Sequence, residues 1–158
     1  MLCAYEGLEL EIIPPFGTQP AEAVSSSRRI FPESGQRILV VDDDDSHRTL
    51  AKQALKRSNF NVQVAAGGLE ALRVLESWHP ALVLLDMVMP SPDGLEVLRT
   101  LRARPQTAKL PVIMLTSNNA EATTQAGFVA GATDFITKPF VIPQLIARVR
   151  ACLARAEK

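Results

Sequence analysis

Residues 37–46 read RILVVDDDDS: an arginine, four apolar residues, then four consecutive aspartates. An apolar run without polar alternation leaves no face for water, which is the pattern of a strand buried on both sides of a sheet. Sheets covered on both faces are built from parallel strands with helices returning the chain. The abrupt change to carboxylates marks the carboxyl end of this strand. Four adjacent like charges repel one another, so a compensating cation has to come from elsewhere.

Working outward, short apolar runs alternate with helix-length amphipathic stretches five times. The runs are RILVV (37–41), NVQVAA (61–66), ALVLL (81–85), PVIML (111–115) and TDFIT (133–137). Between them lie SHRTLAKQALKRSNF, GLEALRVLESW, DGLEVLRTLRAR and NAEATTQAGFVAG. A last helix is expected from about Val141 to about Ala156, with Ile142, Leu145, Ile146, Val149 and Leu153 on one face. Strand and helix in strict alternation predict an α/β fold, a (βα)₅ doubly wound five-stranded parallel sheet.

The 158 residues suffice for one domain with a full core. Residues 1–36 differ in character, with Pro14, Pro15, Pro20, Pro32 and a serine triplet, and are expected to form a disordered N-terminal arm. The domain proper is expected over 37–158. The arm carries a net charge of −3 and the remainder +3, and no basic block is interleaved with aromatics, so no direct nucleic-acid contact is expected. Neither a signal peptide nor a membrane span is legible. Cys3 and Cys152 lie near opposite ends of the chain and read as reduced thiols of a cytoplasmic protein.

In a doubly wound sheet, ligands bind outside the carboxyl ends of the strands, where strand order reverses. The residues following the runs are Asp42, Asp43, Asp44 and Asp45, then Asp86, then Thr116 and Ser117, then Lys138 and Pro139. Each alone reads more simply as a turn, a cap or a solvated charge. Together, four strand ends deliver acids, a hydroxyl and an amine to one crevice. Clustered carboxylates with oxygen-only ligands point to Mg2+ or Mn2+. A carboxylate can attack a phosphoryl group, whose oxygens then need a metal, an ammonium and a hydroxyl donor. Asp45 or Ser46 is expected to cap the next helix, Asp44 to be a spare charge at the rim, and His47 to be an exposed first-turn residue.

ILVVDDD, LVLLDMVMPSPDGLEVLRTLR, PVIMLTSN and GATDFITKPF, in this order, resemble the receiver domain of two-component response regulators. The resemblance covers roughly residues 37–156 and implies a flavodoxin-like strand order 2-1-3-4-5. It implies Asp86 as phosphoacceptor, Asp42 and Asp43 as metal ligands, and the backbone carbonyl of Val88 as a further ligand. Thr116 and Lys138 would contact the phosphoryl group, with a cis bond at Lys138–Pro139. Phe135 would be the aromatic switch that follows Thr116. Val88 and Asn118 occupy positions that tune dephosphorylation, and neither is an acid.

The implied partners are a sensor histidine kinase or a histidine phosphotransfer protein. Output is expected through the fourth helix, fifth strand and fifth helix, to an effector or a homodimer in which Asp134 pairs with Arg148 across a two-fold. The implied role is a phosphorylated switch, not a turnover enzyme. With no domain following Lys158 in this sequence, it is a receiver acting alone or a piece of a larger protein. Two other readings stand beside it. VVDDDDS also fits a haloacid-dehalogenase-type phosphatase with Asp42 as nucleophile and Asp44 as acid/base, though Asp86 would then be idle. A degenerate receiver serving only as an interaction module is the third.

Overall fold

The computed structural model describes residues 35–117 and 121–157. The expected arm over 1–36 lies, apart from Gly35 and Gln36, outside them. The described elements, in order, are β1 (Arg37–Val41), α1 (Asp45–Arg57), β2 (Asn61–Ala65), α2 (Gly68–Ser77) and β3 (Leu82–Asp86). They continue with α3 (Gly94–Ala103), β4 (Val112–Ser117), α4 (Glu121–Ala130), β5 (Asp134–Lys138) and α5 (Ile142–Ala156).

The five strands form one parallel sheet in the order β2-β1-β3-β4-β5, as expected. The chain leaves β1 for one edge, returns past it to β3, and builds the other half from there. The strand order therefore reverses between β1 and β3, which carry Asp42 and Asp86 at their carboxyl ends.

Strand periodicity divides the core. Ile38, Val40, Leu82, Leu84, Ile113 and Leu115 face α1 and α5, meeting Leu55, Leu145 and Val149. Their alternates Leu39, Val41, Val83, Leu85 and Met114 face α2 and α3, meeting Leu75, Val97 and Leu98. Both faces of β1 and β3 are thus dry, which is why their sequences lack alternation. The edge strands β2 and β5 are only partly buried, and their sequences are correspondingly mixed.

Several boundaries differ from expectation. Strands β3, β4 and β5 extend through Asp86, Ser117 and Lys138, so Asp86, Thr116, Ser117 and Lys138 lie within the strands and do not follow them. The sheet ladder holds them there, Asp86 beside Leu115 and Thr116 beside Thr137. Helix α1 ends at Arg57, short of Phe60. Asn59 takes a left-handed φ of 70°, and the Phe60 N–H donates to the Leu55 carbonyl at 3.1 Å, a Schellman closure. The cap of α1 is Asp44, not Asp45 or Ser46: Asp44 has extended backbone, and its carboxylate accepts from the His47 N–H at 3.0 Å.

Helix α3 begins with a capping box, Asp93 accepting from the Glu96 N–H and Glu96 from the Asp93 N–H. This folds the β3–α3 loop back so that the Gly94 N–H donates to the Met87 carbonyl at 3.1 Å. A Cβ on Gly94 would collide with the Asp86 carbonyl and lie 2.8 Å from Met87 Cα, both backbone groups unable to yield cheaply. Gly94→Ala should therefore destabilise the fold by about 1–3 kcal/mol. The check is urea unfolding, with a lower midpoint and an unchanged slope.

Candidate functional site

Asp42 follows β1 directly, and its amide still bonds the sheet through the Ala65 carbonyl at 3.2 Å. Its side chain is 1% exposed. Oδ1 accepts from the Asp44 N–H at 2.9 Å, and Arg48 Nη1 donates to the Asp42 backbone carbonyl at 2.8 Å. These contacts tie the acid run to the first turn of α1. Across the crevice, Asp86 closes β3 and is also buried.

Lys138 closes β5 and brings its amine between the two acids. Nζ lies 3.0 Å from Asp86 Oδ1 and 2.9 Å from Asp42 Oδ2. Burial alone would lower the ammonium's pKa, but the Asp42 and Asp86 carboxylates outweigh it and raise it above the ordinary value, so Lys138 stays cationic. Asp86 shows the opposite balance. Burial pushes its carboxyl up to about 6, against the Lys138 hydrogen bond, and the Asp42 charge adds to the rise. One ammonium does not fully balance two buried carboxylates.

Asp43 joins them from the exposed rim. Asp42, Asp43 and Asp86 each offer a carboxylate oxygen within 4.8 Å of the others. Asp42 Oδ2 is buried and accepts no hydrogen bond, since the nearby Lys138 amine is off the hydrogen-bonding direction. An oxygen-only set with an unused buried lone pair fits a hard divalent cation.

Residues 38–150 match the response regulator receiver domain. The chain belongs to this family. Among curated relatives, it is 40% identical over 121 residues to the phosphate regulon transcriptional regulatory protein PhoB of Rhizobium meliloti (strain 1021). It is 41% identical over 121 residues to the response regulator MprA of Mycobacterium ulcerans (strain Agy99). These alignments cover 77% of this chain and 53% and 51% of the relatives, so the chain spans about half the length of the curated relatives it matches. Among solved structures, the chemotaxis protein CheY4 of Vibrio cholerae aligns with a TM-score of 0.72 at 29% identity, covering 75% of this chain and 98% of that one. The receiver domain of the Francisella response regulator 1452 aligns with a TM-score of 0.71 at 31% identity, covering 77% and 98%. The chain is thus a response regulator receiver domain of two-component signalling, and does not belong with haloacid-dehalogenase-type phosphatases. Among the described residues, no helix is long and apolar enough to cross a membrane.

The receiver's remaining expected positions are found as follows. Thr116 is buried in β4, one residue past Leu115, the ladder partner of Asp86, with its hydroxyl donating to the Ser117 carbonyl at 3.3 Å and not to the acids. Val88 is 72% exposed, so its side chain takes no part in the crevice. Lys138–Pro139 is cis. Phe135 is half-buried, edge-on to Phe128 with ring centroids 4.5 Å apart. Arg148 Nη1 donates to both Asp134 carboxylate oxygens, at 3.0 and 2.9 Å, within the single chain. Asn118 falls outside the described residues. Trp78 is the C-cap of α2, with the Arg37 guanidinium 5.6 Å from its ring centre.

His47 is the neighbour that sequence reasoning set aside. It does sit in the first turn of α1, but its Nδ1 lies 3.3 Å from Lys138 Nζ and 3.7 Å from Asp42 Oδ2. Nothing local in the sequence points to this contact, because its partner Lys138 is 91 residues away.

The raised Asp86 pKa carries a stability consequence. The unfolded carboxyl ionises near 3.8 and the folded one near 6, so metal-free stability falls as pH rises through that window. In chelator-treated buffer, Asp86→Asn should be more stable than the parent by about 1–2 kcal/mol above pH ~6, after discounting for solvent screening. Below pH ~4 the two should converge. Thermal unfolding across that pH range checks both the sign and the window.

Proposed function

We propose that residues 37–158 accept a phosphoryl group on Asp86 from the phosphohistidine of a sensor histidine kinase or a histidine phosphotransfer protein. The observation that carries this reading is a buried carboxylate at the strand-order switch point, held by a lysine but not neutralised by it. An Asp86 oxygen attacks phosphorus, the phosphorus–nitrogen bond breaks, and the imidazole leaves as the acyl phosphate forms. Lys138, already at Asp86 Oδ1, is placed to pair with a phosphoryl oxygen in the product. The Thr116 hydroxyl holds only a long bond to its neighbour's carbonyl and can turn to donate to another.

Asp42, Asp43, Asp86 and the Val88 backbone carbonyl would hold Mg2+ or Mn2+. When bound, this ion supplies positive charge to the phosphoryl oxygens. Phe135 is the switch residue, and α4, β5 and α5 form the output surface, for an effector or a second copy. The Asp134–Arg148 pair is partly exposed and therefore cheap to open, at about 0–1 kcal/mol, which leaves Arg148 free to pair across a dimer. The role is a cytoplasmic signalling switch that does not itself contact nucleic acid.

The test is to incubate the protein with Mg2+ and acetyl phosphate, trap the acyl phosphate with borohydride, and map it by mass spectrometry. Label is expected on Asp86 and absent in Asp86→Asn. Label on Asp42 would overturn the assignment, and no label would favour an interaction module without phosphotransfer.

A further inference from the structure

His47 has a role that the phosphotransfer chemistry above does not use. Three acceptors surround Lys138 Nζ: Asp42 Oδ2 at 2.9 Å, Asp86 Oδ1 at 3.0 Å and His47 Nδ1 at 3.3 Å. Only the last two meet hydrogen-bond geometry, and Asp42 is a charge contact alone. Asp86 and His47 thus share in setting the ammonium's direction, with the Asp42 charge at the shortest distance.

We propose that His47 is a positioning residue for Lys138, holding the ammonium beside Asp86. The proposal rests on the reading of Asp86 as phosphoacceptor. His47 is well anchored for the task, because its own N–H donates to the Asp44 carboxylate at the start of α1. Its ring is 43% exposed, whereas the Lys138 side chain beside it is 16% exposed. An imidazole that accepts from an ammonium does so through an unprotonated Nδ1, which puts its proton on Nε2.

The choice of a neutral acceptor matters. A third carboxylate here would bind the ammonium as strongly as Asp86 does and compete with an incoming phosphoryl oxygen. A neutral nitrogen aims the amine without cancelling its charge. Its weaker bond also yields more readily when a phosphoryl oxygen takes its place.

The experiment measures the rate of borohydride-trapped label on Asp86 from acetyl phosphate at saturating Mg2+. His47→Leu, which keeps bulk without an acceptor, should label about tenfold more slowly than the parent. His47→Asn, which restores an acceptor near the Nδ1 position, should stay within about twofold. In a Lys138→Ala background, His47→Leu should add no further effect. Urea midpoints of the two His47 variants check that both are folded. The Asn–Leu contrast decides the matter even if Lys138→Ala labels too slowly to follow. Equal rates for Leu and the parent, or equal slowing by Leu and Asn, would overturn the role of His47 while leaving Asp86 as acceptor. Absence of label on Asp86 in the parent would overturn the acceptor reading and this one with it.

Discussion

The arrangement at the carboxyl edge depends on one electrostatic imbalance. Two carboxylates, Asp42 and Asp86, are buried within reach of a single ammonium on Lys138. Burying charge is tolerated only when it is paired, and here the pairing is incomplete. The shortfall appears in two places, the raised Asp86 pKa and the unused Asp42 oxygen. An oxygen-only cluster with such a shortfall could hold a divalent cation. The fold carries the cost because five parallel strands, dry on both faces at β1 and β3, fix these residues from separate positions in the chain.

The supporting shell follows from that need. Arg48 ties the Asp42 backbone to α1, and Asp44 caps the same helix. Gly94 lets the β3–α3 loop press against the Asp86 backbone. At the far side, Gly127 of α4 leaves room for the Phe135 ring, since a Cβ there would lie 2.6 Å from Phe135 Cζ. A glycine inside a helix costs about 1 kcal/mol relative to alanine, so this socket is maintained against local preference. The aromatic residue of β5 is in this way packed into the same side of the sheet as Met87, the residue after Asp86.

Much of this was legible in the residues. RILVV and ALVLL could only be central strands, and the chemistry at their ends followed from where parallel strands point. The resemblance supplied strand order and roles that spacing alone left open. The boundaries that escaped were those that depend on three-dimensional partners. Asp86, Thr116 and Lys138 lie within their strands because neighbouring strands continue the ladder, which no single run reveals. DDDDS offers several residues able to cap a helix, and the turn after β1 decides for Asp44. His47 escaped for a related reason: its partner, Lys138, is 91 residues away, and a histidine in a first helical turn is ordinarily exposed. Arg148 and Asp134, expected to pair across a two-fold, pair within the single chain.

The imbalance itself is open to direct measurement by calorimetric titration of Mg2+ into the metal-free protein. The account predicts one bound ion, weakened by Asp43→Asn and strengthened by Lys138→Ala, because the ammonium and the metal answer the same excess of negative charge. Absence of binding, or binding indifferent to both substitutions, would contradict it.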